Sequence, residues 1–246
     1  MEAGTSVKPS NERQDVAAGV RRWAISGVVG VVTVALCLFL PAWRLDWPMG
    51  WALVAIYAAW QGSMAVILIP RDPALLAERA ARDRAGTRTW DVTLMSVVGL
   101  LTVTQYVVAG LDFRNGWTQD AGLAIPPPVQ WAALVVTALT YALLVWAMTA
   151  NAFFSKIVRI QDDRGHAVAT TGPYRIVRHP GYVGSVISYI SIPLMLGSLW
   201  SLLPGLPAAV LMVVRTGLED RTLRRELPGY EAYAGRVRYR LFPGLW

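Results

Sequence analysis

The 246-residue chain is poor in charge: Asp, Glu, Lys and Arg make up 16% of it and hydrophobic residues 54%, where an ordinary soluble domain is about a quarter charged. That excludes a disordered or solvent-exposed chain. One cysteine, Cys37, and two histidines, His166 and His179, are present. So few ligands exclude a disulfide framework, a thiolate metal cluster and the histidine-box sets of membrane di-iron enzymes. No GxGxxG follows a strand pattern, and a Walker loop, a GxSxG elbow and HExxH are all missing, so a soluble Rossmann nucleotide site is excluded. No internal repeat or low-complexity tract is seen.

What charge there is leaves five uncharged runs, at 23–43, 47–70, 92–111, 121–155 and 179–214. A bilayer core about 30 Å thick needs roughly 20 apolar residues as helix, so each run can cross a membrane and the last two can hold more than one crossing. The expected fold is an all-α polytopic membrane protein of about six transmembrane helices, at 23–43, 48–69, 92–111, 129–152, 181–199 and 203–217. The last two would form a short hairpin. Residues 1–22 read as a loose N-terminal tail without a cleaved signal, 23–150 as a four-helix membrane region, and 151–246 as the part that carries the chemistry. Segment 112–128, with three consecutive prolines, reads as an outer loop that stops before helix four. Trp43, Trp47, Trp117 and Trp131 stand near helix ends, where interfacial aromatics anchor.

Six crossings with the chain starting in the cytoplasm place 21 of the 23 Lys and Arg on the cytoplasmic side, leaving Arg44 and Arg114 outside. The positive-inside rule therefore sets the orientation, with both termini cytoplasmic. It also accounts for the net charge of +7. Basic residues spread over four loops do not make a nucleic-acid surface.

Polarity concentrates in two cytoplasmic stretches, 151–184 and 215–246. The first holds Thr171, Gly172, Pro173, Tyr174, Arg175, Arg178, His179, Pro180, Gly181, Tyr182 and Gly184. Glycine and proline at this density force the backbone through turns, and Pro180 biases His179 to an extended conformation. Such a loop can hold a small polar molecule at the membrane face, or it can be a structured turn whose arginines meet lipid phosphates. In the second stretch Arg215 and Glu219 are spaced i, i+4, as are Asp220 and Arg224. Asp220 with Arg224 reads as a salt-bridged helix end. Glu219 stands one turn from the membrane, where an acid is costly and usually has a purpose. Tyr230, Tyr233, Arg236, Arg238 and Pro243 form an aromatic and basic tail able to fold back over the loop or to anchor at the interface.

The run from Gly172 to Tyr182, an Arg-His-Pro-x-Tyr motif, followed by Arg215, Glu219 and Asp220 and the Leu223, Tyr230, Tyr233, Pro243 tail, resembles the isoprenylcysteine carboxyl methyltransferase family. That family is similar to the phospholipid N-methyltransferases. The likeness covers about 151 to the C-terminus. It implies S-adenosylmethionine as methyl donor, bound between the loop and the last helix pair, with no metal. By motif position His179, Pro180, Tyr182, Gly172, Tyr174 and Glu219 would bind the cofactor. Arg215, Glu219 and Arg178 would be catalytic, the arginines ordering the acid or neutralising a substrate carboxylate. The family often has two glutamates where this chain has Glu219 and Asp220. A lipophilic acceptor from the bilayer would become a methyl ester. The Arg-over-Lys bias and Ala-rich helices read as a bacterial inner-membrane protein.

Two other classes stay open on sequence grounds. A reductase of the sterol-reductase type carries a similar Arg-His-Pro-x-Tyr segment for NADPH, although Gly181 here precedes the tyrosine where those enzymes usually have Asn. A non-enzymatic transporter or scaffold is the other, but the first four helices carry almost none of the intramembrane charge an ion path needs.

Overall fold

The computed structural model describes residues 9–80, 87–155 and 157–246; the expectations that rest on residues 1–8, on Arg82 and Arg84 and on Lys156 lie outside the described residues. Nine α-helices make up the described part, and no strand occurs in it: α1 (Pro9–Ala42), α2 (Pro48–Arg71), α3 (Pro73–Ala80), α4 (Thr89–Asn115), α5 (Trp117–Asp120), α6 (Pro127–Thr149), α7 (Pro180–Leu196), α8 (Leu202–Glu226) and α9 (Tyr230–Arg236). In lipid the helix is the element that satisfies every backbone group within its own segment, so the uncharged runs fold this way. Prolines open α2, α6 and α7 at the first turn, where their missing N–H costs nothing. Gly116 and Gly197 end α4 and α7 in the left-handed conformation, at φ 71° and 78°.

Five helices are long and apolar enough to cross a membrane: Gln14–Ala42, Pro48–Arg71, Thr89–Asn115, Pro127–Thr149 and Leu202–Glu226. This is a polytopic membrane protein. The short member of the expected final pair is α7, with 17 residues. It still joins the two ends of the bundle. At its start the His179 amide bonds the Arg240 carbonyl, and just past its end the Leu199 amide bonds Thr118 Oγ1 of α5, between α4 and α6. Its partner α8 has 25 residues and continues to Glu226, well past the expected 217, because its polar residues find buried partners.

Two expectations are corrected. α1 is already helical from Pro9, where a loose tail to residue 22 was expected; its lower part is held by Val20 and Trp23 packing on Leu75 and Leu76 of α3. Trp47 is not an interfacial anchor: it is 3% exposed and its ring stacks on Phe113 at 4.4 Å. Trp43, Trp117 and Trp131 are exposed.

The main core, around Leu38, Leu53, Tyr106, Ile192 and Met195, lies towards the end remote from the polar loop. Outward-facing Val66 and Leu100 are 76% and 67% exposed, as lipid-facing side chains of a bundle are. α7 lies close against α6: a Cβ on Gly184 would stand 2.9 Å from the Thr140 carbonyl oxygen. Small residues permit such backbone approach between membrane helices, and this contact fixes the loop leading into α7.

Candidate functional site

After α6 the chain crosses the arginine-rich end of the bundle as a loop. Asn151 accepts the Phe153 amide at 2.9 Å and donates to the Tyr174 hydroxyl at 3.2 Å. Gln161 Nε2 donates to the Phe153 carbonyl at 2.8 Å. A tight turn at Gly172–Arg175 needs φ +57° at Gly172, where a Cβ would also meet Ala150 and Trp146 at 3.0 Å. The loop then runs into α7 with His179 just ahead of Pro180. The C-terminal segment folds back over it, as the aromatic tail suggested: the Arg178 and His179 amides donate to the Tyr239 and Arg240 carbonyls at 2.9 and 3.0 Å.

Asp220 organises this junction. Fully buried, its Oδ1 accepts Arg178 Nε at 2.7 Å and the Tyr230 hydroxyl at 3.0 Å and lies 3.3 Å from His179 Nε2. Its Oδ2 accepts Arg178 Nη2 at 3.2 Å, Arg224 Nε at 3.2 Å and Arg240 Nε at 3.0 Å. The expected pair with Arg224 is thus one contact among several. Arg178 Nη1 also donates to the Val237 and Arg238 carbonyls, both at 2.8 Å. Its Nε, Nη1 and Nη2 thus all donate to protein acceptors, Asp220 and the backbone of the C-terminal segment.

A second chain of contacts runs through Tyr182. Its hydroxyl donates to Glu219 and accepts Arg215 Nη1, the latter at 2.7 Å. Arg215 in turn donates to both oxygens of Asp91 at 2.6 and 3.1 Å. Asp91 also accepts the Val158 amide at 2.8 Å, which ties the loop to the first turn of α4. The i, i+4 pair of Arg215 and Glu219 is bridged by the phenol. His179 and Tyr182 stack with ring centres 5.6 Å apart and planes 4° off parallel.

These groups enclose a pocket at the arginine-rich end, lined by Phe153, Phe154, Gln161, His166, Tyr174, Arg178, His179, Tyr182, Glu219, Tyr230 and Tyr233 among others. Of the site residues expected from sequence, Tyr174, Arg178, His179, Tyr182 and Glu219 line it. Gly172 and Pro180 do not; they shape the backbone around it. Arg215 stands behind Tyr182. Burial, with the nearby Asp220 charge, raises the Tyr230 phenol above its ordinary value, and burial pushes Tyr233 up to about 12. Both therefore remain hydrogen-bond donors at neutral pH. Burial and Arg159 lower His166 below the usual histidine value, which keeps its ring neutral beside Phe153.

A second, larger cavity of about 1400 Å³ opens into the apolar bundle, lined by Ile25, Val29, Val92, Met95, Leu144 and Met212, with Arg79, Tyr182 and Arg215 at its polar end. Phe154, Ser155, Ile157, Gly181 and Tyr182 line both spaces. Sequence reading missed Asp91, Gln161 and the central place of Asp220. Asp91 did carry a signal: it is the acid immediately before the 92–111 run, facing a helix from which Arg215 emerges.

The fold and site define a polytopic helical membrane protein with a polar pocket meeting an apolar cavity at one end. Residues 131–225 match the model of the isoprenylcysteine carboxyl methyltransferase (ICMT) family. This part of the chain is ICMT-like, and with the membrane-spanning helices it supports a membrane methyltransferase. No curated protein matches the chain.

Proposed function

We propose that the chain is an S-adenosylmethionine-dependent methyltransferase of a lipid bilayer that forms the methyl ester of a lipophilic carboxylic acid. The carrying observation is that Tyr182 and Phe154 line both the polar pocket and the apolar cavity. A water-soluble donor and a lipid-soluble acceptor can meet at that boundary, one from each side.

The residues present fit the cofactor. Glu219, with a side chain 19% exposed, offers a carboxylate to a cationic ligand. Phe153, Tyr174 and Tyr230 supply aromatic surface suited to an adenine ring or a sulfonium. Gln161 and residues 167–169 also line the pocket. When bound, S-adenosylmethionine supplies a methyl already activated on a sulfonium, whose C–S electron pair stays with sulfur as a carboxylate oxygen takes the methyl.

This chain's residues then have positioning work. Asp220 with Arg178, Arg224 and Arg240 fixes the loop; Asp91 with Arg215 fixes the Tyr182 hydroxyl against Glu219. A carboxylate is ionised at neutral pH, so no side chain has to remove a proton. Orientation and exclusion of water carry the catalysis. The arginine-rich end faces the cytoplasm of a bacterial inner membrane in this reading.

The test uses the purified full-length chain without added metal. S-adenosylmethionine or its demethylated product should raise the unfolding temperature, since a ligand at 100 times its dissociation constant stabilises by about 2.7 kcal/mol. His179→Ala, Tyr182→Phe and Glu219→Gln should weaken that effect, Glu219→Gln by about tenfold or more in affinity. Membranes given methyl-labelled donor should yield a lipid that releases volatile methanol in mild base. Protection by NADPH in place of the methyl donor would overturn the reading; base-stable label would move the acceptor from carboxylate to nitrogen or carbon.

A further inference from the structure

α3 carries two buried charges side by side, Glu78 and Arg79, 6% and 8% exposed. They have different fates. Glu78 is met by Arg159, whose Nε and Nη2 donate to its Oε1 at 3.1 and 2.9 Å. Arg79 pairs with no carboxylate among the described residues. Its Nη1 donates to the Phe154 carbonyl at 3.1 Å, its guanidinium carbon lies 5.4 Å from the centre of the Phe154 ring, and its Nε is buried without a hydrogen-bond partner. Burial lowers its pKa to about 10, the response of a cation that has lost water and gained no anion.

Its surroundings say what would complete it. Arg79 lines the apolar cavity, and Phe154, the residue it touches, lines both that cavity and the polar pocket. The other arginines there are accounted for: Arg215 is held by Asp91 and Tyr182, and Arg22 is exposed. Among the described residues no Asp or Glu lines the cavity. An occupant that satisfies both Arg79 and the wall of Ile25, Val29, Val92, Met95 and Met212 has an anionic head and a long apolar tail. A guanidinium meets a carboxylate through two parallel hydrogen bonds, a geometry an alcohol cannot match and an ammonium opposes.

We infer that Arg79, which lies outside the matched residues 131–225, is the acceptor-binding residue that holds the carboxylate of a lipophilic acid at the neck between the two cavities. This rests on the methyltransferase reading for the fate of the acid, not for its binding. The part expected of Arg178 and Arg215, both committed to internal carboxylates, falls to a helix that the motif does not include.

The experiment measures binding of oleate, oleyl alcohol, oleylamine and dioleoyl phosphatidate to the full chain in non-ionic detergent, without methyl donor, beside the affinity for S-adenosylhomocysteine. Wild-type protein should take oleate at least about tenfold tighter than the alcohol or the amine. Arg79→Gln should bring oleate down to the level of the alcohol and leave S-adenosylhomocysteine affinity intact, while Arg79→Lys should keep a preference for the acid. Unchanged oleate affinity in Arg79→Gln overturns the assignment. So does phosphatidate binding tighter than oleate through Arg79, which would make the site one for a lipid headgroup. If Arg79→Gln does not fold, the wild-type preference and its retention in Arg79→Lys decide, and the absence of either overturns it. Oleate held through Arg79 but never esterified would sink the methyltransferase reading and leave this site standing; esterification of an acid whose binding ignores Arg79 would do the reverse.

Discussion

Asp220 and Glu219 are adjacent in sequence and opposite in kind. The Asp220 carboxylate is removed from solvent and receives donors from Arg178, Arg224, Arg240 and Tyr230, so its charge is balanced by three guanidinium groups and a phenol adds a further hydrogen bond. Replacing it by Asn keeps the volume but turns an amide N–H toward guanidinium groups and leaves buried cations uncompensated. Removing one partner of a buried pair costs about 3–5 kcal/mol. Asp220→Asn should therefore lower the unfolding temperature strongly, whereas Glu219→Gln, at the pocket wall, should lose ligand affinity with a change in stability of about 1 kcal/mol. Equal destabilisation by the two substitutions in thermal melts would contradict this division. The i, i+4 spacing in the sequence shows only Arg224 as a partner for Asp220. Arg178 stands 42 residues away and the Asp91–Arg215 pair spans 124, and separations of that size leave no pattern in one sequence. His179 and Tyr182 drew attention because the glycine and proline punctuation around them marks a built loop, and Glu219 because an acid one turn from the membrane is costly.

At the scale of elements, the boundaries of α2, α4 and α6 follow the helices expected at 48–69, 92–111 and 129–152 to within four residues, because lipid enforces the same limit on sequence and structure. The loop-to-helix junctions do not follow from hydropathy. α1 is extended and α3 exists because each buries an apolar side on the other, a tertiary gain that an eight-residue segment shows only weakly by itself. The contact between α6 and α7 matters most for the site, since α7 begins with the residues that line it. Gly184→Leu would drive carbon atoms into the Thr140 carbonyl oxygen, which would stand only 2.9 Å from the new Cβ. Overpacking of this kind costs about 1–3 kcal/mol, and it should shift His179 and Tyr182 together, lowering both the melting temperature and cofactor affinity. Gly99→Ala, with nothing within 4 Å of the added carbon, should be neutral or stabilising by up to about 1 kcal/mol, as expected in a helix interior. The pair of variants separates packing at the α6–α7 seam from a general intolerance of substitution at helical glycines.

For the molecule as a whole, the orientation turns on α7. Five helices meet the length of a membrane span, and α7, at 17 residues, covers roughly 25 Å against a core of about 30 Å. If α7 crossed only in part, Gln119 and Gly235 would be separated by two crossings and lie on one side; with α7 they are separated by three and lie on opposite sides. The structure favours three, since the Arg178 and His179 amides bond to Tyr239 and Arg240 at one end while Leu199 bonds to Thr118 at the other. Arg44 and Arg114 lie at that second end, near Trp43 and Asp46, and the remaining basic residues among the described ones belong to segments of the first. Carrying a Lys or Arg through the bilayer centre is unfavourable by about 2.5–3.5 kcal/mol each on an insertion scale, so the arginine-rich end is expected in the cytoplasm. After replacement of Cys37 by Ala, single cysteines at the exposed positions Gln119 and Gly235 can be offered an impermeant maleimide on intact cells. Gln119→Cys should label at once and Gly235→Cys only after the cells are opened. Labelling of both in intact cells would mean that α7 does not cross. The reverse pattern would place the polar pocket outside, away from any cytoplasmic methyl donor, and so would count against the proposed reaction as well as the topology.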